Sequence, residues 1–275
     1  MLLFDHLPWL LLGTATVTAL IRPAWGIWVA FSAIVTAGIT GVVTPWYAVL
    51  VALGAYLLHF TCRLPTAGIV SIHVGVILYV LASGFHLIPG TESLIVISDY
   101  QKTADSAPYT LGFSFDKTLA PLALMILMPS MVSKERRDSA LLLLSLVVIG
   151  GIVSTLSLAW AMDLIKPAFA VPTWTGLFIL KMICYTTFAE EVFFRGYLQN
   201  LLTARWGSTI GIVVAAMVFG VAHAGSGFLY VGLASLAGLV YSLSYHLSGR
   251  LWVPVAVHTL LNTAHLILFT YPMAI

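Results

Sequence analysis

The chain is poor in charge: Asp, Glu, Lys and Arg together make up only 8% of its 275 residues. Soluble domains carry roughly 25% charged residues, so this scarcity excludes an ordinary soluble domain. The few charges are spread thinly and sum to +2, with no basic tail and no long run of like charge. The chain therefore lacks the charge pattern of a nucleic-acid-binding protein, and we predict no nucleic-acid partner.

Cysteine is almost absent, with only Cys62 and Cys184, which stand in separate apolar runs. They form neither a CxxC pair nor a zinc-binding pattern, so we interpret both as small buried hydrophobic residues. The HExxH motif of helical zinc sites is missing as well. No basic segment precedes the first apolar run, so that run is predicted to be a retained span and not a removable signal peptide.

Apolar runs dominate what is present, since hydrophobic residues make up 60% of the chain. A transmembrane helix needs about 20 predominantly apolar residues, within a range of roughly 17–25. Pro, Gly and short charged breaks separate up to ten such runs, at about residues 7–21, 25–43, 46–61, 67–88, 118–132, 139–164, 174–203, 208–224, 227–247 and 251–270. We predict an all-α, polytopic transmembrane bundle of 8–10 helices, a multi-pass integral protein of the cell (plasma or inner) membrane, in contact with the lipid bilayer.

The runs suggest four regions. N-terminal membrane helices occupy residues 1–88, a polar or interfacial loop 89–117, further membrane helices 118–173, and a helical core 174–275. A connection as long as the second region, beyond about 12–15 residues, is usually functional or disordered. An interfacial cap and a substrate gate both fit it.

Basic residues are unequally divided between the two sides of the predicted bundle, seven against three. Because cytoplasmic loops are enriched in Lys and Arg, the richer side is predicted to be cytoplasmic and the N-terminus to lie outside. The two groups are Arg22, Arg63, Lys134, Arg136, Arg137, Arg205 and Arg250 against Lys102, Lys117 and Lys166.

The run 174–203 contains an unusual concentration of charge, Glu190, Glu191 and Arg195 within six positions. An acidic residue at the centre of a membrane helix costs about 2.5–3.5 kcal/mol on insertion scales, so its first interpretation is functional. In an α-helix Glu191 and Arg195 share a face and can pair, whereas Glu190 lies about 100° away. We predict Glu191 to be the ionised partner of Arg195, and Glu190 to act as the base.

His223 follows the Trp206-Gly207 break by about 16 residues, and Glu190 precedes it by about the same number. In a helical hairpin, equal distances from the turn give equal depth, here about 24 Å at 1.5 Å per residue, so the two side chains are expected to face one another. The small residues that permit a close approach of the helices are Gly207, Gly211, Ala215 and Ala216.

In the last run, His258 and Asn262 are four residues apart and share a helix face. The remaining histidines of the apolar runs, His86 among them, have no carboxylate nearby in sequence. We interpret them as packing or interfacial residues.

Three motifs thus stand in order on three predicted spans. They are Glu190-Glu191-x-x-x-Arg195, Phe219-x-x-x-His223 and His258-x-x-x-Asn262. Together they resemble the motifs of the CAAX-protease and bacteriocin-processing (CPBP, or ABI) family of intramembrane glutamic-type proteases, which includes the type II CAAX prenyl endopeptidase. The resemblance covers about residues 174–270. The stretch 106–117 is also similar to a segment of bacterial branches of such proteases.

The resemblance implies an intramembrane endopeptidase that hydrolyses a peptide bond in a membrane-presented or C-terminal segment of a membrane-associated protein or peptide, lipidated or not. Amide hydrolysis needs a base for water and donors for the oxyanion. Glu190 is the candidate base and His223 would position the water, roles that the family implies as well. The family further implies oxyanion stabilisation by Asn262 and Arg195, and His258 would orient this group or contact substrate.

Other interpretations remain open. Two histidines and two carboxylates are also zinc ligands, but they lie on different helices without the close spacing of a metal motif, so we predict a metal-free site without cofactor and keep zinc as the alternative. A buried ion network could instead fix helix register. A bacteriocin-immunity or regulatory protein of the same family is a second possibility, and a transporter or proton relay a third, although no inverted repeat is visible.

Overall fold

The computed structural model describes residues 2–59, 66–131 and 141–275. Cys62 and four of the basic residues used to predict orientation lie outside these ranges, namely Arg63, Lys134, Arg136 and Arg137. Cys184 is buried, as predicted.

Each of the ten predicted spans coincides with a helical stretch. The helices are α1 (Leu2–Ile21), α2 (Pro23–Thr40), α3 (Pro45–His59), α4 (Thr66–Gly84), α5 (Phe115–Leu127), α6 (Leu141–Ala161), α7 (Thr175–Lys181), α8 (Thr187–Glu191), α9 (Asn200–Trp206), α10 (Ser208–Val221), α11 (Phe228–Ser248) and α12 (Trp252–Leu268). The predicted class, an all-α polytopic bundle, is confirmed.

Four of the described helices are long and apolar enough to cross a membrane, namely Phe4–Ile21, Pro23–Thr40, Leu141–Ala161 and Phe228–Ser248. Further helices are apolar but shorter, with described segments Pro45–Gly54, Val70–Gly84, Ser208–Val221 and Trp252–Leu268. Large hydrophobic side chains such as Leu142, Leu146 and Ile149 of α6 are exposed. An apolar face of this kind suits contact with lipid. Lipid tails cannot hydrogen-bond, and an α-helix pairs its backbone groups internally.

The predicted polar connection contains regular structure that its composition did not indicate. Strands β1 (Ser93–Tyr100) and β2 (Tyr109–Ser114) form a two-stranded sheet, and α5 begins directly after β2. The eight residues between the strands are too few for a parallel crossover, so the strands form a hairpin.

The described chain divides into two compact units. The first comprises residues 1–94, 113–129 and 184–193, and the second comprises 95–112, 130–183 and 194–275. In the first unit α1 packs on α2, and α5 contacts α8. A Cβ added to Gly26 of α2 would lie 2.5 Å from that of Ala19, so the glycine is what permits the close approach of these two helices.

In the second unit α11 packs against α6, α10 and α12. Two glycines permit the close approach of α11 to α6 and to α10. A Cβ at Gly151 would lie 2.3 Å from a methyl carbon of Val240, and one at Gly220 would lie 1.9 Å from Ser235 Oγ. Gly211 of α10 similarly lies against Thr203 of α9, which confirms the close approach predicted for that glycine.

The run predicted as one span at 174–203 is not a uniform α-helix. Between α7 and α8 the segment Met182–Thr186 is π-helical, and between α8 and α9 the segment Val192–Gln199 is π-helical too. The π-helix is rare, at well under 1% of residues, and its occurrences concentrate at functional sites. The single α-helical turn between these segments carries Glu190 and Glu191.

Candidate functional site

The two glutamates belong to the first unit and differ in exposure. Glu191 is fully buried, whereas the Glu190 side chain keeps 12% of its accessible surface. Glu190 Oε1 accepts a hydrogen bond from Lys117 Nζ at 2.7 Å, a charge-assisted contact across 73 positions of sequence. Lys117 was not among the residues predicted to form the site.

Lys117 lies in the first turn of α5, which packs on α8 within the first unit. Its backbone N–H donates to Asp116 Oδ1 at 2.8 Å, and Asp116 Oδ2 pairs with His86 Nδ1 at 3.0 Å. Asp116 is only 1% exposed. His86, interpreted from sequence as a packing or interfacial residue, therefore has a carboxylate partner that lies thirty residues further along the chain.

The helix geometry after Glu191 differs from the one assumed for its pairing with Arg195. The segment Val192–Gln199 is π-helical and not the α-helix that was assumed when Glu191 was predicted to pair with Arg195. The pairing stays a prediction.

Arg195 lies in the second unit and is completely buried. Its Nη2 donates to the carbonyl of Gly238 at 3.0 Å. The guanidinium carbon lies 4.6 Å from the ring centroid of Phe219 and 5.2 Å from that of Tyr241. Cation–π contacts of this kind contribute about 2 kcal/mol or more when desolvated, so the rings help to hold the cation in the interior.

His223 contacts the same phenylalanine. Its Nδ1 lies 2.8 Å from the carbonyl oxygen of Phe219, and the two rings are 4.6 Å apart. A carbonyl oxygen can only accept, so Nδ1 carries the proton, and in the neutral imidazole Nε2 is then the acceptor. This tautomer is the one required of a residue that accepts a hydrogen bond from water.

His258 completes the cluster around Phe219. It is 5% exposed and stacks on Tyr241, with ring centroids 4.3 Å apart and planes inclined by 18°. Its ring also lies edge-on to Phe219 at 5.7 Å. Arg195, His223 and His258, predicted from three separate spans, thus all contact one buried ring within the second unit.

Gly238 supplies the space for this arrangement. A Cβ at this position would lie 3.0 Å from the carbonyl oxygen of Ala216 and 3.2 Å from the Phe219 ring. The glycine thus brings α10 and α11 close together, and its own carbonyl accepts the hydrogen bond from Arg195. No feature of the sequence alone linked Gly238 to the site.

Asn262 lies one turn beyond His258 on α12 and is partly exposed. Its Nδ2 contacts Met182 Sδ at 3.5 Å. Thioether sulfur is a weak acceptor, so a stronger acceptor could replace it at little cost. The amide is therefore suited to donate to a bound group.

Among residues 2–59, 66–131 and 141–275, no group of three or more His, Cys, Asp and Glu side chains lies in an arrangement that could hold a metal ion. Zinc stays the alternative to the predicted metal-free site.

Residues 172–264, about a third of the chain, match the family model described as Type II CAAX prenyl endopeptidase Rce1-like. The matched region contains all six residues predicted to form the site. Searches of curated proteins and of solved structures gave no match. The match agrees with the resemblance found in the three motifs, and residues 172–264 are similar to the CAAX-protease (CPBP) family.

Proposed function

We propose that this integral membrane protein is an intramembrane endopeptidase of the glutamic type, in which Glu190 and His223 activate a water molecule for peptide hydrolysis. The observation that carries the proposal is the Phe219-centred cluster, which joins Arg195, His223 and His258 inside a region matching a CAAX-endopeptidase family. A buried ion network that only fixes helix register would not need a cation and two imidazoles around one ring, so this cluster favours a functional site.

The proposed reaction begins with Glu190 as general base. Its carboxylate takes a proton from water while Nε2 of His223 accepts a hydrogen bond from the same water. The hydroxide attacks the carbonyl carbon of the scissile amide and forms a tetrahedral oxyanion. Glu190 then returns the proton to the amide nitrogen as the C–N bond breaks, which yields a carboxylic acid and an amine.

Asn262 is the proposed hydrogen-bond donor to the oxyanion, because its Nδ2 contacts a weak acceptor, Met182 Sδ, which the oxyanion could replace. Arg195 is fully buried and hydrogen-bonded to Gly238, so we propose that it stabilises the oxyanion through its charge. His258, stacked on Tyr241, would orient the group or contact substrate.

The proposed substrate is a membrane-associated protein or peptide that presents a segment in the membrane, or its C-terminal segment, for cleavage. The proposed setting is a multi-pass location in the plasma or inner membrane. Two probes separate the substrate classes. One is an internally quenched farnesylated peptide ending in Cys-aliphatic-aliphatic-X, and the other is an unlipidated quenched transmembrane peptide.

The test is cleavage of both probes by the full-length protein in lipid nanodiscs. We expect Glu190→Gln and His223→Ala to lower kcat by about 10²–10⁴-fold, the usual contribution of general acid–base catalysis. The matched controls are Glu92→Gln, an exposed glutamate before β1, and His73→Ala in α4. Both controls should cleave like the wild type.

Each other outcome identifies a competing interpretation. Full activity of Glu190→Gln would remove the proposed base. Loss of activity on chelation, restored by zinc, would replace the metal-free mechanism. No cleavage of either probe, together with ion-dependent uptake in proteoliposomes, would favour a transporter.

A further inference from the structure

The contact between Lys117 and Glu190 is the observation from which this inference starts. Lys117 Nζ lies 2.7 Å from Glu190 Oε1, and the two side chains keep only 27% and 12% of their accessible surface. Both residues belong to the first unit, in which α5 packs on α8. An ion pair so withdrawn from water is screened much less than one on a surface.

Lys117 is itself held in place by its neighbours. Its backbone N–H donates to Asp116, and the buried Asp116 carboxylate also pairs with His86. Asp116 lies in the first turn of α5, where the helix dipole favours negative charge. The lysine side chain therefore extends toward Glu190 from a fixed helix start and not from a free loop.

The charged groups near Glu190 indicate how the ammonium group of Lys117 affects the ionisation of this carboxyl group. Its own helical turn contributes the carboxylate of the buried Glu191, and α5 contributes Asp116, with its His86 partner, and Lys117. An opposite charge within about 4–6 Å of a carboxyl group favours its charged form. The ammonium group of Lys117 supplies such a charge in direct contact with Glu190 Oε1.

We propose that Lys117 is a positioning residue for hydrolysis: through its contact with Oε1 it keeps Glu190 ionised at neutral pH and fixes the orientation of the carboxylate. A protonated carboxyl group cannot accept the proton of water, and a freely rotating one would rarely point at it. This inference rests on the proposed role of Glu190 as the base. Lys117 itself need not touch the substrate.

The experiment measures the charge of Glu190 directly, and so needs no substrate. Infrared difference titration of the full-length protein in nanodiscs follows the carbonyl stretch of protonated carboxyl groups, and Glu190→Gln identifies the Glu190 band by its loss. Wild type and Lys117→Arg should lack this band at neutral pH. Lys117→Met and Lys117→Gln should show it, with the titration midpoint about 1–3 pH units higher, the range typical of losing an adjacent opposite charge.

Cleavage of the farnesylated and unlipidated probes over a range of pH supplies the second readout. The acidic limb of kcat/KM should move upward by the same amount in Lys117→Met, so that activity lost at neutral pH returns at higher pH, and Lys117→Arg should retain the wild-type profile. Lys166→Met, which changes an exposed lysine elsewhere, is the matched control and should change neither readout.

Three results would overturn the inference: an unchanged titration midpoint in Lys117→Met, a protonated Glu190 band in the wild type at neutral pH, or a uniform loss of activity at all pH values. Failure of the proposed function looks different, since Glu190→Gln would then cleave the probes. The infrared spectra and the cleavage assay therefore separate the two hypotheses.

Discussion

The guanidinium of Arg195 lies 4.6 Å from the ring centroid of Phe219, and both side chains are buried. His223 and His258 contact the same ring. Phe219 therefore packs against a cation and two imidazoles at once. Aromatic rings attract cations through the negative charge of their faces, so the ring contributes more here than apolar area.

Replacing Phe219 tests this contribution. We expect Phe219→Leu to lower the free energy of unfolding by about 1–3 kcal/mol, because the cation–π attraction to Arg195 is lost together with some packing. The measurement is denaturant-induced unfolding in detergent, with Phe228→Leu as the control because Phe228 is 90% exposed. Equal stability of the two variants would show that the ring has no special role.

Gly220 is predicted to tolerate no side chain. A Cβ there would lie 1.9 Å from Ser235 Oγ and 2.6 Å from the carbonyl oxygen of Val231. Gly220→Ala must therefore separate α10 from α11, and we expect it to be destabilised by about 1–3 kcal/mol, as is usual for overpacking. Thermal unfolding in nanodiscs measures this.

The control for Gly220 is Gly232→Ala in α11, where no atom lies within 4 Å of the added Cβ. Alanine is favoured over glycine inside a helix by roughly 0.8–1 kcal/mol, so this variant should be neutral or more stable. A Gly220→Ala protein as stable as the Gly232→Ala protein would contradict the close approach of α10 and α11.

Asn262 should affect the chemical step more than binding. We expect Asn262→Ala to lower kcat by about 10²–10³-fold with little change in KM, the pattern for loss of an oxyanion donor. Asn262→Asp keeps the shape of the side chain but opposes a developing negative charge, and it should be at least as impaired. A rise in KM with kcat unchanged would assign Asn262 to ground-state binding instead.

We expect the environment of Lys102 to make the stability of the protein increase with pH. Its Nζ donates to the carbonyls of Ala168, Ile267 and Phe269 and so connects the hairpin to the rest of the second unit. Burial lowers the pKa of Lys102 from 10.5 to about 8. Between these values the unfolded chain binds the proton more tightly than the folded chain does, so the contribution of Lys102 to stability rises with pH and is lost as pH falls through about 8.

Melting temperatures of wild type, Lys102→Met and Lys102→Arg from pH 7 to pH 10 measure this effect. Neither replacement releases a proton in that range, since Met does not ionise and the pKa of Arg exceeds about 12. The stability of the wild type relative to both variants should therefore increase with pH. A difference that stays constant or shrinks would contradict the sign of this linkage.

The π-helical segments Met182–Thr186 and Val192–Gln199 could not be predicted from the hydrophobic pattern of the sequence. Apolar length and breaks at Pro and Gly located the helical stretches of the described residues, because membrane helices satisfy their own backbone groups and need only a run of suitable residues. The same pattern predicted one continuous α-helix over 174–203. A switch to π-helical hydrogen bonding changes no residue type, so it leaves no mark in the periodicity of so apolar a run.

The contact of Lys117 with Glu190 is a second feature that the sequence did not predict. A lysine where a polar connection meets an apolar run, in a chain with only 12 Lys and Arg residues, was a signal that could have been followed. Yet its contact with Glu190 spans 73 positions. Such a contact depends on how α5 packs on α8, and helical spacing says nothing about it.

The amino-acid sequence alone therefore determined the membrane class, the helical stretches and the three motifs, because hydropathy and local spacing are properties of neighbouring residues. Only the tertiary structure showed that Phe219 contacts Arg195, His223 and His258, and that Lys117 is the partner of Glu190. The physical reason is that these contacts join residues of different helices. They form only when the helices pack together, and that packing depends on side-chain volumes throughout the fold and on close helix approaches at glycines such as Gly220 and Gly238.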